Sequence, residues 1–302
     1  MSERQKWLSI VGIGERGLVE LSPLARELVD RAVLIVGGKR HLAMLEDERS
    51  ERLEWTSPLE DAIASILKYR GTPVCILASG DPLCYGIGVT LLRYVPISEM
   101  TIIPAPSTFS LACARLGWSL TAVETVSLCG RSPDFLTALL TPHAKLLVLS
   151  AGADTPQIVA DLLTQRGYGD SQMTILEHLG GDLENITSDL ARSLSKQEVA
   201  ALNAIAIDCR IDAETTPVNR LPGLPDSAYH HDGQLTKREV RAITLAALAP
   251  LPGELLWDVG AGCGSIGFEW LRSHPRCRAI AIEQHSQRLD FIRDNMSALG
   301  TP

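Results

Sequence analysis

The residue types that could do chemistry in this sequence stand in short turns of glycine and polar residues, each next to an apolar run. The turn GIGERG (12–17) ends one such run, GDPLCYG (80–86) follows a second, and PAPST (104–108) follows a third. If these runs are parallel strands, their carboxyl ends meet at one edge of a sheet, where open α/β proteins bind ligands. Glycine lets backbone N–H groups approach a ligand closely, and Asp81 brings a carboxylate to the same edge. The turns therefore predict a ligand-binding cleft.

Each turn also has a simpler interpretation, and the sequence leaves both open. GIGERG fits the glycine spacing of a dinucleotide-binding turn, but that function needs an acidic residue at the end of the next strand. The next run ends in VGGKRH (36–41), without Asp or Glu, which disfavours NAD and FAD and leaves a structural turn or another kind of cleft edge. Likewise, Asp81-Pro82 is a common turn sequence, and Ser107 is a typical N-cap.

A fourth glycine-rich turn, in LLWDVGAGCGSIGFEW (255–270), is the most specific. It places four residues between a predicted strand and a predicted helix: Asp258, Gly260, Gly262 and Gly264. The glycines let the backbone pass a bulky cofactor without Cβ clashes. Glu283, which ends the next strand RAIAIE (278–283), can accept hydrogen bonds from both ribose hydroxyls. This D-x-G-x-G-x-G form resembles motif I of class I S-adenosylmethionine (SAM) methyltransferases, with NAD binding or a structural turn as alternatives.

Apolar runs alternate with amphipathic segments along the chain, which indicates an α/β fold with largely parallel sheets covered on both faces. The predicted strands are 7–14, 32–37, 73–79, 100–105, 144–151, 171–179, 203–209, 254–262 and 278–283. The predicted helices are 21–31, 58–70, 86–94, 107–116, 155–166, 187–199, 235–251, 265–274 and 287–300.

A composition shift in AETTPVNRLPGLP (213–225) divides this pattern into two parts. Its prolines lack the backbone N–H and fix φ, which favours a semi-rigid linker over a surface loop within one domain. We therefore expect a first domain over 1–212, a Pro-rich linker over 213–226 and a second domain over 227–302.

Taken in order, the first three turns resemble the tetrapyrrole methylase family, the class III SAM methyltransferases. The resemblance covers about residues 5–210 and includes three further segments that match the branch acting on precorrin-6Y: SLCGR (127–131), SAGADTP (150–156) and EHLGGDLENI (177–186). It implies a tetrapyrrole methylase domain of two α/β subdomains, about 1–122 and 123–212, with SAM folded between them. It also implies SAM contacts at Ser79, Gly80, Asp81, Cys84, Ser107, Thr108, Cys129 and Gly180.

The resemblance also implies the reaction, methylation of a reduced tetrapyrrole such as precorrin-6Y. An electron-rich ring carbon attacks the sulfonium methyl group, so the protein mainly holds carbon, methyl and sulfur in line, and no catalytic side chain is assigned. A substrate with many carboxylates needs basic partners, for which we expect Arg131, with Lys39, Arg40 and His41 as a second group unless these three form a solvated surface. Two departures from the family are Cys129 in place of a common His and Glu15 in place of a common Pro.

Upstream of the fourth turn, HHDGQLTKREVRA (230–242) resembles the entry segment of the C15-methylating, decarboxylating partner in fused corrin methyltransferases. Thr236 matches that family and joins the expected SAM contacts; with Glu239 it also has the T-x-x-E pattern of a capping box. In a complete chain the resemblance implies methylation at C15 with decarboxylation of the C12 acetate. Since 227–302 supplies only two predicted strands, we expect a partial, incomplete Rossmann-like domain that is inactive in this form.

Composition limits the other classes of function. The chain has 302 residues and a net charge of −8, so a nucleic-acid partner, which needs clustered Lys and Arg, is not expected. The seven cysteines contain no C-x-x-C pair and the adjacent His230 and His231 point different ways, so we expect no metal and no disulfide scaffold. Without a membrane-spanning run or a signal-peptide cleavage site, we expect a cytoplasmic protein, and a homo-oligomer remains open.

Three other functions remain open from the sequence. A dehydrogenase would change the fluorescence of a reduced nicotinamide cofactor on binding. A non-catalytic subunit would bind SAM without transferring its methyl group. A related methylase would act on another tetrapyrrole, such as uroporphyrinogen.

Overall fold

The computed structural model describes residues 6–45, 50–194 and 198–301 and divides into two compact units. The first unit consists of Met1–Ala122, Leu176–Ile186 and Leu202–Ala204. The second unit consists of Val123–Ile175, Thr187–Ala201 and Ile205–Pro302. Three parts of sequence predictions lie outside the described residues: 1–5 of the N-terminal segment, 195–197 of the last helix predicted before the linker, and 302. The domain bounds expected from the sequence stay a prediction.

The first unit contains a five-stranded sheet with helices on both faces. Its strands are β1 (Leu8–Ile13), β2 (Leu34–Gly37), β3 (Glu51–Glu54), β4 (Val74–Ser79) and β5 (Met100–Ile103). Its helices are α1 (Pro23–Asp30), α2 (Lys39–Ala43), α3 (Leu59–Leu67), α4 (Ile87–Leu91) and α5 (Thr108–Leu116). The strand order is β3-β2-β4-β1-β5, and all four neighbouring pairs are parallel. The carboxyl ends of β1, β4 and β5 therefore meet at one edge, as the sequence predicts.

Alternating side chains of the central strands form two apolar cores, one on each face of this sheet. Ile10 packs in one core with Ile66 of α3, whereas Val11 packs in the other with Val29 of α1. Successive residues of a strand point to opposite faces, so a strand covered on both sides reads as a continuous apolar run. This is why the sequence locates β1, β2 and β4 without ambiguity.

A second five-stranded sheet follows, with the order β6-β7-β10-β8-β9. Its strands are β6 (Glu124–Ser127), β7 (Lys145–Leu149), β8 (Gln172–Glu177), β9 (Asn185–Leu190) and β10 (Asn203–Asp208). The helix α6 (Thr155–Gln165) packs Val159 and Leu163 against Leu146 and Ile205 in the core of the second unit. The α/β class expected from the sequence is confirmed.

The segment after the linker forms a two-stranded parallel sheet with three helices. Its elements are α7 (Arg238–Leu248), β11 (Leu255–Val259), α8 (Ser265–Ser273), β12 (Arg278–Ile282) and α9 (Ser286–Leu299). Phe268 and Leu299 are buried with Leu224 of the linker. In contrast, Trp257 and Val259 of β11 have exposed fractions of 63% and 73%. The order strand, helix, strand, helix is the one expected for the start of a Rossmann-like domain.

A buried ion pair ties the linker to this segment. Arg241 Nε of α7 donates to Glu269 Oε1 of α8 at 2.8 Å, and the two side chains have exposed fractions of 0% and 1%. The Glu269 carboxylate also accepts the backbone N–H groups of Gly223 and Leu224 at 2.6 and 3.0 Å. The Tyr229 hydroxyl donates to Glu269 Oε1 at 3.0 Å. The end of the Pro-rich linker is therefore fixed to α8 rather than free.

One predicted element is wrong. The helix expected over 187–199 is replaced by strand β9 and a 3₁₀ turn at Ala191–Ser193. A hydrogen bond between two hydroxyl groups favours the strand over the helix here: Ser188 on β9 and Thr174 on β8 lie 2.8 Å apart across neighbouring strands. Strands β3 and β6 were not predicted, since each has only four residues and an exposed first position. The other predicted strands and helices match observed elements.

We expect Arg241→Met to lower the free energy of unfolding by about 3–5 kcal/mol, because it leaves the Glu269 carboxylate buried without its charge partner. Denaturant unfolding of the full chain measures this change. The matched control is Arg293→Met, because Arg293 pairs with Asp290 on the surface, with side-chain exposures of 70% and 67%, and such pairs contribute about 0–1 kcal/mol. Equal stability of the two variants would contradict the prediction.

Candidate functional site

The turns after β1, β4 and β5 are held together backbone to backbone. Gly80 N–H donates to Ile13 O at 3.1 Å, and Ala105 N–H donates to Gly80 O at 3.1 Å. A Cβ atom on Gly12 would overlap Gly80 O and lie 2.5 Å from Ala105 N. Only glycine therefore allows these turns to meet. The structure thus brings Gly80 and the PAPST turn to one sheet edge, as predicted.

Asp81 stabilises the turn that contains it. Its Oδ1 accepts the N–H of Leu83 at 2.8 Å, and its carbonyl accepts the N–H of Cys84 at 3.1 Å. This Asx turn is the structural role that the sequence leaves open for Asp81. Burial, with a further contribution from the Asp81 charge, raises the pKa of the Cys84 thiol, so Cys84 stays a neutral thiol at this edge.

Ser107 and Thr108 lie at the start of α5. Ser107 is the N-cap, and its Oγ accepts the N–H of Ser110 at 3.1 Å. Thr108 is the first helical residue. Gly80 has a φ of 56°, and a Cβ atom there would lie 2.9 Å from Pro106 O, so the β4 turn approaches this helix start closely. The expected pair of small-residue turns is therefore a contiguous surface.

Of the basic residues after β2, Arg40 is paired with a carboxylate of the first unit. Arg40 donates to the Glu15 carboxylate through one terminal nitrogen and to Ser79 Oγ, at 3.2 Å, through the other. The neighbouring Lys39 is the first residue of α2. Since Glu15 offsets the charge of Arg40, Arg40 is a weaker candidate for substrate binding than the sequence suggests.

His41 lies beside the same serine. Its Nε2 is 3.0 Å from Ser79 Oγ, and its Nδ1 is buried with no hydrogen-bond partner among the described residues. Burial, with a further contribution from the positive charge of Arg40, lowers the pKa of His41 to about 4. His41 is therefore a neutral imidazole at neutral pH.

The turn after β8 carries Gly180 and is anchored within the first unit. The N–H of Gly180 donates to Glu184 Oε2 at 2.6 Å, and Gly180 has a φ of 83°. Arg115 of α5 forms a forked pair with the Glu184 carboxylate at 2.5 and 2.9 Å. The Arg115 and Gly180 hydrogen bonds lower the pKa of Glu184. At the start of the turn, His178 Nδ1 lies 2.7 Å from Glu15 Oε2.

Two of the expected site residues, Cys129 and Arg131, belong to the second unit. Cys129 is exposed, and its Sγ donates to Ser150 O at 3.3 Å. Arg131 is exposed, and its N–H donates to Leu128 O at 3.1 Å, which closes the turn that follows β6. Their expected roles toward SAM and substrate stay predictions.

The glycine-rich turn after β11 has the geometry that its sequence indicates. Its three glycines all have positive φ values: Gly260 75°, Gly262 60° and Gly264 80°. Asp258 Oδ2 accepts the N–H of Gly267 at 3.2 Å, and burial raises the pKa of Asp258. Glu283 accepts the N–H of Gly262 through Oε2 at 2.8 Å and the N–H of His285 through Oε1 at 3.0 Å. These bonds, the His285 bond first, lower the pKa of Glu283, which keeps it an ionised acceptor beside the turn.

The capping box expected at Thr236 is wrong. Helix α7 begins at Arg238 with Lys237 as its N-cap, and no side chain caps it. Thr236 lies one residue too early, and its carbonyl accepts a hydrogen bond from the buried Arg241. Thr236 therefore fixes the entry to α7 through its backbone, and its expected contact with SAM stays a prediction.

The structure also bears on metals and membranes. No group of three or more His, Cys, Asp or Glu side chains that could hold a metal ion is found in 6–45, 50–194 and 198–301. His231 and Asp232 instead accept backbone N–H groups of Gly233 and Gln234. None of the helices in these ranges is long and apolar enough to cross a membrane.

Sequence reasoning missed the polar pair formed by Glu15 and His178. Glu15 and His178 are 163 positions apart, so no local pattern could pair them. The available signals were indirect: Glu15 departs from the common proline, and His178 lies in the segment EHLGGDLENI (177–186) that also carries Gly180.

Comparison with known families gives two matches. The family of tetrapyrrole (corrin/porphyrin) methylases matches residues 8–195. A family described as precorrin methyltransferase domain matches residues 227–302. Neither match includes any part of the Pro-rich linker, 213–226.

Three relatives illustrate the similarity. A precorrin-6Y C(5,15)-methyltransferase [decarboxylating] from Sinorhizobium is 43% identical over 297 residues, which is 98% of this chain and 72% of the relative. A cobalt-precorrin-7 C(5)-methyltransferase from Salmonella typhimurium is 34% identical over 179 residues, covering 59% of this chain and 88% of the relative. The crystal structure of a precorrin-6Y methylase from Archaeoglobus fulgidus is 26% identical with a TM-score of 0.53, covering 68% of this chain and 98% of that structure.

We expect the chain to lose stability through His41 as the pH falls from about 6.5 toward about 4, because the unfolded state takes up a proton there that the folded state does not. His41→Gln removes this proton uptake and keeps an amide donor for Ser79 Oγ. The unfolding free energy of the variant should therefore rise relative to the natural chain as the pH falls, measured by denaturant unfolding across that range. Carboxylates titrate equally in both proteins and cancel; a difference that is independent of pH would contradict the prediction.

Proposed function

This chain belongs to the tetrapyrrole (corrin/porphyrin) methylases, and we propose that it transfers the methyl group of SAM to C5 of precorrin-6Y during construction of the corrin ring of cobalamin. The observation that carries the proposal is the contact of the turns after β1, β4 and β5, which Gly12 makes sterically possible. The position of methylation is supported by the name of the C(5)-methyltransferase relative, of which the alignment covers 88%.

The residues of the first unit fit a folded methyl donor. The close approach of the backbone at Gly12 and Gly80 forms a surface of main-chain groups that a side chain would fill. Ser79 and Ser107 add hydroxyl groups to this edge, and Asp81 adds a negative charge that complements a sulfonium ion. Methyl transfer is then a matter of holding the ring carbon, the methyl group and the sulfur atom in line. Carbonyl oxygens of the turns can direct the methyl group through weak C–H···O contacts.

The same proposal assigns a second reaction to the motif from Asp258 to Glu283. In a complete two-domain enzyme this motif would bind SAM for methylation at C15 with decarboxylation of the C12 acetate. The proposal rests on the match of residues 227–302 and on the printed name of the Sinorhizobium relative. The three positive-φ glycines and the ionised Glu283 support a bound adenosyl group at this turn.

The proposed location is the cytoplasm. All seven cysteines are free thiols, which fits a reducing compartment. A homo-oligomer remains compatible with the proposal.

We expect Asp81→Lys to abolish SAM binding in the first unit, because lysine cannot accept the Leu83 N–H and places a positive charge near the sulfonium. Asp81→Asn, which keeps an accepting oxygen, should retain binding with lower affinity. Titration calorimetry with SAM on the full chain measures both. Asp61→Lys, a charge reversal at an exposed position of α3, is the control. Unchanged SAM affinity in Asp81→Lys would show that this turn is not the cofactor site.

We expect Arg131→Ala to weaken precorrin binding by about 1.5–3 kcal/mol, roughly tenfold to over a hundredfold, because a charged hydrogen bond to a substrate carboxylate is lost. SAM affinity should not change. The matched control is Arg210→Ala, another exposed arginine of the second unit. An equal loss of affinity for both ligands would instead place Arg131 in the cofactor site or in the fold.

The proposed function is tested by mass spectrometry of precorrin-6Y incubated with SAM and the full chain. The expected product of the first unit carries one added methyl group at C5. Methylation of uroporphyrinogen but not of precorrin-6Y would assign another tetrapyrrole, and SAM binding without transfer to any tetrapyrrole would indicate a non-catalytic subunit. A second methyl group with loss of carbon dioxide would show that residues 227–302 are active in this chain.

A further inference from the structure

A histidine–carboxylate pair lies at the same edge of the first unit as the proposed cofactor turns. His178 Nδ1 is 2.7 Å from Glu15 Oε2, and the two side chains have exposed fractions of 26% and 15%. An ionised carboxylate only accepts hydrogen bonds, so Nδ1 carries the proton and Nε2 is the basic nitrogen. Among the described residues, Nε2 of His178 has no hydrogen-bond partner. Nε2 of His178 therefore has a basic lone pair that can accept a proton.

The backbone around His178 holds this pair in place. His178 has a φ of 48°, in the left-handed region that non-glycine residues rarely adopt, and its N–H donates to Leu202 O at 3.1 Å. Gly181 N–H donates back to His178 O at 2.9 Å. A Cβ atom on Gly181 would lie 2.7 Å from Glu15 Cβ. The glycine is thus required for Glu15 to reach the turn.

Further contacts fix the turn that His178 begins. Glu184 binds the N–H of Gly180 and the forked guanidinium of Arg115. Arg16, next to Glu15, pairs with Asp182 at 3.2 Å. These contacts hold the turn in place. His178 lies in it two residues before Gly180, which is one of the expected SAM contacts.

We propose that His178 is the proton acceptor of the methylation, with Glu15 as the residue that orients its imidazole. This inference rests on the proposed function. C5 of a tetrapyrrole is a bridging carbon that carries one hydrogen. Its π electron pair forms the new bond to the methyl carbon, while the S–CH3 bond breaks and its electron pair stays on sulfur. The ring is then cationic, and its neutral form returns when the C5–H bond breaks and that electron pair re-enters the ring.

The proton from C5 goes to Nε2 of His178, which becomes an imidazolium. Glu15 stabilises this charge through the Nδ1 hydrogen bond, as a carboxylate does for other histidine bases. Arg40 also pairs with Glu15 and holds the carboxylate beside the turn. Because His178 is partly exposed, its proton then passes to solvent, which restores the base for the next turnover.

Other titratable groups near the pair do not serve this role. His41 is a neutral imidazole whose Nε2 lies against Ser79 Oγ and whose Nδ1 is buried. Glu184 is engaged by Arg115 and Gly180. Asp182 pairs with Arg16 and is largely exposed.

The test compares His178→Gly with the natural chain in single-turnover methylation of precorrin-6Y. Glycine accepts the left-handed backbone and leaves space for a free imidazole molecule. We expect the rate of methylated product formation to fall by about 10²–10⁴-fold, the usual contribution of a positioned base, and SAM affinity measured by calorimetry to stay the same. Added imidazole should restore the rate at least about tenfold. Deuterium at C5 should slow the variant more than the natural chain, because proton loss becomes rate-limiting.

His143→Gly is the matched control, because His143 is an exposed histidine with a φ of 67° in the second unit, outside the pair. Glu15→Gln should lower the rate less than His178→Gly and should not respond to imidazole. Equal rates for His178→Gly, His143→Gly and the natural chain would overturn the proposal. So would a loss of SAM affinity without imidazole rescue, which would indicate a structural role. Failure of the natural chain to methylate precorrin-6Y, with SAM bound, would overturn the proposed function and this inference together.

Discussion

At residue 12 there is no space for a side chain, and the sheet edge that forms the proposed cofactor site in the first unit depends on this steric constraint. The carbonyl of Gly80 and the amide of Ala105 occupy the position that a Cβ atom would take. Hydrogen bonds then join three strand ends directly, and Gly80 of the β4 turn lies against the residues that precede α5. The polar groups of Ser79, Asp81 and Ser107 owe their positions to this backbone contact. Their own side-chain bonds mainly complete a geometry that the glycine permits.

The segment after the linker is held together by a buried ion pair instead. One carboxylate, that of Glu269, accepts hydrogen bonds from Arg241, from Tyr229 and from two linker amides. A buried carboxylate without these partners would be costly, so helix α8, helix α7 and the linker must come together as a group. The family matches leave the linker out, yet the linker is bound closely to the segment that follows it.

The sequence predicts the elements with local signals and fails where partners are distant. Strand β4 and helix α5 follow from an apolar run and a Ser N-cap, so the sequence predicts their bounds to within one residue. The sequence predicts a helix where β9 lies, because the hydroxyl partner of this strand, Thr174, is on another strand. The pair of Glu15 and His178 shows the same limit within the site. Glycine motifs are readable because they require a local backbone conformation, whereas side-chain pairs between distant segments require the fold.

The exposed face of β11 carries a tryptophan whose fluorescence can report on the glycine-rich motif. Among the five tryptophans, Trp7 and Trp270 are buried, with exposed fractions of 4%, and Trp257 is the most exposed at 63%. Trp257 also immediately precedes Asp258 of the glycine-rich motif. Its indole emission is therefore a native spectroscopic reporter of that motif, sensitive to any adenosyl group, protein surface or further polypeptide that covers the strand. Solvent quenchers reach this fluorophore first, so its signal can be separated from that of the interior tryptophans without introducing a label.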